Sequence, residues 1–192
     1  VAASGRSGSL IATRPTKPSS LVKSSSDESS ASSRQARPRT RSAAAATGAL
    51  LYRNAGQVCL AGTRFLVHTK VRDAFVAAMR GYVEKLNIGD PRDEAVEIGP
   101  IIHPRQVERV KGFVERAIAD GAELLWGGKP HLFGAQYFEP TMLTNLRQDS
   151  EIVQNELFGP VLTLQTFDGD EDLIALANGP DYGFFFNDTA TT

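Results

Sequence analysis

The chain has 192 residues, a net charge of −1 and a single cysteine. This net charge is the sum over two unlike parts of the chain. Residues 1–45 hold eight basic and two acidic residues, and the remainder holds thirteen basic and twenty acidic residues. An acidic main part argues against a nucleic-acid partner, and one cysteine excludes an internal disulfide and a multi-cysteine metal site. The single cysteine leads us to expect no metal site and a reducing, cytoplasmic location. We also expect no membrane partner, because no apolar run reaches the ~18–20 residues that span a bilayer.

The first segment, residues 1–43, is of low complexity. Residues 1–45 contain thirteen Ser, eight Ala and six Arg but no aromatic residue. Such a composition buries too little apolar surface to offset the entropy lost on ordering the backbone. The segment is therefore expected to be disordered or, because the pattern changes abruptly near Ala43, to be a misread frame. Its longest early apolar stretch, Leu10-Ile11-Ala12, is too short for a signal peptide.

Hydrophobic periodicity and turn residues predict the elements that follow in chain order. The first group consists of a short helix at residues 44–54 ended by Gly56, a strand at 64–68, an amphipathic helix at 70–86 and a loop at 87–91. The second group consists of a helix from Pro104 to near Gly121, a strand at 122–126 closed by Gly127-Gly128, extended segments at 137–146 and 159–167, and a helix from Asp170. Strands that alternate with helices predict an α/β fold, a layered and mostly parallel sheet with flanking helices, over residues 44–183.

Cys59 is the candidate nucleophile of the patterned part. A lone cysteine is more often a small buried hydrophobe, but this one is flanked by Gly56, Ala61 and Gly62. We expect the small neighbours to let a substrate and a cofactor approach the sulfur, whose thiolate would be the reactive form.

Other polar residues carry no comparable signal. The histidines share no metal-ligand spacing and are expected at the surface or as caps; they are His68, His103 and His131. Gly127-Gly128-Lys129 lacks the upstream glycine of a phosphate-binding loop and predicts a turn. Neither a Gly-x-Ser-x-Gly elbow nor a Gly-x-Gly-x-x-Gly fingerprint occurs in the patterned part.

Two motifs carry a family resemblance. Residues 52–64, Tyr-Arg-Asn-Ala-Gly-Gln-Val-Cys-Leu-Ala-Gly-Thr-Arg, resemble the cysteine segment of the NAD(P)-dependent aldehyde dehydrogenase superfamily. Residues 155–161, Asn-Glu-Leu-Phe-Gly-Pro-Val, resemble a second element of that family. Shorter matches lie in family order between and after these two motifs: Ile98-Gly99-Pro100-Ile101, Phe138-Glu139-Pro140-Thr141, Ala177-Asn178 and Tyr182-Gly183. The resemblance covers nearly all of residues 46–183, which correspond to most of a catalytic domain but well under half of a complete enzyme.

The resemblance implies a covalent oxidation of a small aldehyde. Cys59 would attack the carbonyl to give a thiohemiacetal, hydride would pass to NAD or NADP, and water would hydrolyse the thioester. The Cys59 N–H would donate to the oxyanion. Glu156 would accept hydrogen bonds from the nicotinamide ribose, and Phe158 would pack beside that ribose and the nicotinamide. Gln106 is at a position where some relatives touch the adenosine ribose. The alternative, which we weigh equally, is that Gln106 is an ordinary exposed residue of a helix.

The chain departs from the family near both ends. Residues 21–28 stand where the family has the Leu-Glu-Leu-Gly-Gly-Lys element that carries the deacylating base, so no general base is assigned. Residues 184–192 match nothing in the family and are expected to be a non-family tail. We therefore expect the chain to be inactive alone, and the resemblance implies that the complete enzymes are homo-oligomers. The alternative is a noncatalytic α/β fragment or binding module with an inert Cys59; nothing favours a cysteine hydrolase.

Overall fold

The computed structural model describes residues 51–59 and 61–181. The low-complexity segment at 1–43, most of the helix predicted at 44–54 and the tail at 184–192 lie outside these residues. Within them the strands are β1 (Arg64–His68), β2 (Glu123–Trp126), β3 (Thr141–Thr144) and β4 (Val161–Phe167), and the helices are α1 (Arg72–Val83), α2 (Pro104–Ala119), α3 (Glu151–Gln154) and α4 (Asp170–Asn178). None of these helices is long and apolar enough to cross a bilayer.

The four strands form one sheet in the order β1-β4-β3-β2. Strand β4 pairs in parallel with β1 and with β3, and β2 runs antiparallel to β3 at one edge. All residues of β3 and all but Thr166 of β4 are buried, as expected for central strands covered on both faces. The predicted α/β fold with a mostly parallel sheet is confirmed.

Helix α2 shows how local sequence sets an element. It begins at Pro104, which needs no N–H partner in the first turn, and the chain leaves it at Gly121, which has a φ of 100°. The residues that α2 buries recur at helical spacing; they are Val107, Val110, Phe113, Val114 and Ala117. The helix predicted from Pro104 to near Gly121 is therefore confirmed, and its apolar stripe fixes which face remains free for a site.

Two predicted elements are clearly longer than those in the structure, and one short helix was not predicted. The helix predicted at 70–86 is α1, which is shorter because Thr69–Val71 forms a 3₁₀ turn and the chain leaves the α conformation after Val83. The extended segment at 137–146 contains only β3, since Pro140 has no N–H for a ladder and Asn145 has a left-handed φ of 56°. Helix α3 was not predicted, because one turn is too short to show a periodicity.

Two of the three histidines are N-cap residues, His68 of the 3₁₀ turn and His103 of α2, and His131 makes the same local bond in a turn. Their Nδ1 atoms accept hydrogen bonds from the backbone N–H two residues later, at 3.1 Å for His68, 3.1 Å for His103 and 3.3 Å for His131. The expected capping role is confirmed. Gly127 and Gly128 have φ values of 73° and 88°, which confirms the predicted turn.

A buried tyrosine joins the segment before the cysteine to the sheet. The hydroxyl of Tyr52 donates to the Thr141 carbonyl at 3.0 Å and accepts from the Trp126 indole N–H at 3.2 Å. Burial raises the pKa of the Tyr52 phenol well above its usual value, and the Trp126 hydrogen bond offsets only part of this effect. The segment is thus fixed in place by a phenol that must remain protonated.

We predict that Tyr52→Phe lowers the free energy of unfolding by about 1–2 kcal/mol at neutral pH, because one buried and one part-buried hydrogen bond are lost. The raised folded-state pKa stabilises the wild type fully below roughly pH 10, and this contribution is lost as the pH rises further. Urea denaturation across this pH range measures both effects, with the less buried Tyr82→Phe as control. An unchanged alkaline loss in Tyr52→Phe would contradict the prediction.

Candidate active site

The candidate cysteine lies in a turn with an unusual backbone. The chain before it passes through three consecutive left-handed residues, Asn54, Ala55 and Gly56, with φ values of 53°, 52° and 70°. For a residue with a Cβ this conformation costs about 1–2 kcal/mol, so surrounding contacts must hold it. A hydrogen bond of 2.9 Å from the Ala61 N–H to the Val58 carbonyl then closes the turn that presents Cys59. Its free thiol is exposed.

The cysteine segment and the second motif meet backbone to backbone. A Cβ on Gly56 would lie 2.1 Å from the Gly159 carbonyl oxygen and 2.9 Å from the Pro160 nitrogen. Only glycine fits here, because of both its φ and this contact. The missing side chain at Gly56 therefore makes room for Gly159 rather than for a substrate, which corrects that part of the expectation.

The side chain of Gln57 forms a second connection. Its Oε1 accepts from the Ile102 N–H at 2.9 Å, and its Nε2 donates to the carbonyls of Asn54 at 3.0 Å and Pro100 at 3.5 Å. The bonds to Ile102 and Pro100 link the cysteine turn to the segment that enters α2. The Cys59 turn is thus held on two sides, by the segment before α2 and by Gly159.

The residue before Gly159, Phe158, lines an open cleft of about 510 Å³. The other lining residues are Ile102, His103, Arg105, Gln106, Arg109 and Glu156. The structure brings the predicted residues Gln106, Glu156 and Phe158 together in this cleft. Cys59 is not among the lining residues. The Glu156 side chain is exposed, and Phe158 is half-buried in the wall. Arg105 and Arg109 bring two positively charged side chains to the lining of the cleft.

The loop that carries Glu156 is fixed by α2. Gln106 Nε2 donates to the carbonyls of Leu157 at 2.7 Å and Phe158 at 3.0 Å. Arg109 donates to the carbonyls of Glu156 at 2.6 Å and Leu157 at 2.7 Å. Gln106 is therefore half-buried and bonded instead of being an exposed helix residue.

Sequence reasoning missed Arg109. The available signal was its spacing from Gln106: Arg109 follows Gln106 by about one helical turn, so both side chains lie on the same face of α2. A residue that binds backbone carbonyls of a distant loop leaves no motif of its own.

Comparison with known proteins identifies the group to which this architecture belongs. The model of the aldehyde dehydrogenase family matches residues 37–185. A curated Staphylococcus aureus (strain USA300) relative, also named as an aldehyde dehydrogenase, is 39% identical over 144 residues, which are 73% of this chain and 30% of that protein. The chain belongs to the aldehyde dehydrogenase family.

Solved structures agree with this assignment. The crystal structure of a Mycobacterium tuberculosis aldehyde dehydrogenase complexed with NAD+ matches with a TM-score of 0.68 and 39% identity, over 73% of this chain and 30% of that one. An NADP-dependent enzyme of E. coli matches with a TM-score of 0.68 and 36% identity, over 76% of this chain and 32% of that one. The chain thus spans about a third of the length of the relatives it matches, at 30% and 32%.

Proposed function

We propose that this chain is the part of an aldehyde dehydrogenase that holds the nucleophilic cysteine and the nicotinamide ribose. The complete enzyme would oxidise a small aldehyde to a carboxylate with NAD or NADP. The contact of Gly56 with Gly159 carries this proposal, because it packs the Cys59 turn against the loop of Glu156. Family membership supports the reaction, and the relative complexed with NAD+ supports the cofactor.

The chemistry assigned to Cys59 is nucleophilic. Its thiolate forms a C–S bond with the aldehyde carbon, and the Cys59 N–H donates to the resulting oxyanion. Loss of hydride from that carbon leaves a thioester, and addition of water releases the carboxylic acid and regenerates the thiol. A bound nicotinamide cofactor supplies the acceptor for the hydride. The exposed position of Cys59 supports access of both the aldehyde and water.

The cleft residues fit a nucleotide ribose. The Glu156 carboxylate has two acceptor oxygens, which suit two neighbouring ribose hydroxyls. Phe158 lines the same cleft and offers an apolar ring for the ribose and the nicotinamide. We assign to Gln106 a contact with the adenosine ribose. The exposure of Glu156 to the cleft supports these roles, because its carboxylate is accessible to a ligand.

The 192-residue chain does not complete the reaction alone, since no residue here matches the deacylating base of the family. The complete enzyme is a homo-oligomer. It resides in the cytoplasm, where an exposed free thiol such as that of Cys59 stays reduced.

Alkylation of the single cysteine tests the proposal. We predict that iodoacetamide modifies Cys59 about tenfold or more faster in the native chain than in urea, as expected of a nucleophile that the folded turn presents in an exposed position. An excess of a simple aldehyde should slow only the native reaction, through reversible addition to the sulfur. Mass spectrometry follows the modification, with Cys59→Ser as the unlabelled control. Equal rates without aldehyde protection would favour the alternative, a noncatalytic fragment or binding module with an inert cysteine.

A further inference from the structure

We infer that Arg109 is a positioning residue for Glu156, an inference that rests on the proposed function. One guanidinium nitrogen of Arg109 donates to the Glu156 carbonyl at 2.6 Å, and the other donates to the Leu157 carbonyl at 2.7 Å. The two donors belong to one planar group and hold two consecutive peptide units. A lysine in this position could not reproduce the two-point contact, because its ammonium is a single point charge.

Gln106 extends this contact by one residue. Its amide nitrogen donates to the carbonyls of Leu157 and Phe158 at 2.7 Å and 3.0 Å. Two side chains one turn apart on α2 thus hold three consecutive carbonyls, those of residues 156–158. We call Gln106 and Arg109 the carbonyl clamp.

The conformation of the loop explains why a clamp is needed. Phe158 has a φ of 55°, a left-handed conformation that a residue with a Cβ adopts only when its surroundings hold it. The direction of the Glu156 side chain depends on the same peptide units. A loop released from the clamp would relax from this conformation and carry the carboxylate with it.

The clamp is itself supported by a rigid element. The Arg109 guanidinium lies over the ring of Phe113, 4.9 Å from its centroid, and Phe113 is buried in the core. Because Arg109 packs on Phe113 of α2 and binds the loop carbonyls, it fixes the position of the loop relative to the helix. Its guanidinium is directed at the loop backbone, so its influence on a ribose is exerted through Glu156.

Arg105 is a matched control on the same helix. It lines the same cleft and carries the same charge, but none of the hydrogen bonds that hold the described 156–158 carbonyls comes from it. Loss of charge at the cleft can therefore be separated from loss of the clamp by comparing Arg105→Met with Arg109→Met.

The test is a double-mutant cycle between Arg109 and Glu156, with nicotinamide mononucleotide titrated into the ¹⁵N-labelled chain. We expect Arg109→Met to weaken binding by about tenfold, the equivalent of one charge-assisted hydrogen bond. In the Glu156→Gln background the same substitution should cost little, because the group it positions is already changed. Arg105→Met should have the same effect in both backgrounds. Equal losses from Arg109→Met in both backgrounds would indicate a general structural role and overturn the inference.

A ligand-free measurement separates this inference from the proposed function. Amide hydrogen exchange at Leu157, Phe158 and Gly159 should be faster in Arg109→Met than in the wild type, and unchanged in Arg105→Met. Unchanged exchange in Arg109→Met would overturn the clamp even if the nucleotide binds. If the wild type shows no saturable binding, the proposed cofactor role fails, and the exchange rates alone decide whether the clamp exists.

Discussion

Replacement of Gly56 by alanine is expected to lower the free energy of unfolding by more than ~2 kcal/mol, one of the largest effects for a single substitution in this chain. The new Cβ would lie 2.1 Å from the Gly159 carbonyl oxygen, and the residue would keep a φ of 70°. Backbone atoms cannot rotate away as a flexible side chain can. The strain would therefore separate the Cys59 turn from the loop of Glu156.

Gly62→Ala provides the control for this prediction. It lies in the same small-residue stretch, but a Cβ there meets no atom within 4 Å, so the expected change is within ~0.5 kcal/mol. Urea denaturation measures both variants, and iodoacetamide modification of Cys59 reports on the local site. A similar loss of stability in the two variants would show that the contact between Gly56 and Gly159 is unimportant.

Thr141→Val is expected to lower the free energy of unfolding by about 2–3 kcal/mol. The Thr141 hydroxyl is fully buried, donates to the Glu139 carbonyl at 2.7 Å and accepts from the Gly128 N–H at 2.8 Å. Valine has nearly the same shape but leaves both backbone groups without this partner. The cost is therefore that of two unsatisfied polar groups and not that of a cavity.

Thr166→Val is the matched control, because Thr166 is the exposed residue of β4. Its replacement should change stability by no more than ~0.5 kcal/mol. Thermal unfolding followed by circular dichroism compares the two variants. If Thr141→Val were as stable as Thr166→Val, the hydrogen bonds of the buried hydroxyl would contribute nothing net.

The sequence predicted the elements that have a periodic buried face. Helix α2 could be located from Pro104 to near Gly121 because its apolar residues recur at helical spacing and its ends carry the expected residue types. Strand β1 was predicted with its observed bounds. The start of β3 was missed although Pro140 marks it in the sequence, whereas its end depends on the left-handed φ of Asn145, which the sequence does not show.

The site residues could be predicted only as separate motifs. Glu156, Phe158 and Gln106 were selected from two distant segments, and the structure places them in one cleft. The contact of Gly56 with Gly159 and the bonds from Arg109 to the loop could not be foreseen. The first packs two backbones together and the second binds a side chain to backbone carbonyls. Both join segments that are far apart in sequence, and such contacts produce no local pattern.

The position of β4 in the sheet has a consequence for the order of folding. Strand β4 lies between β1 and β3, yet it is the last of the four to be synthesised. Strand β1 cannot pair with β4 until β4 has been synthesised; Arg64, for example, pairs with Thr163. Parallel pairing between strands so far apart in sequence is slow. Until then β1 and β3 have unpaired edges that other chains can bind. The junction of Gly56 with Gly159 is therefore assembled late, when nearly all of the described chain has been made.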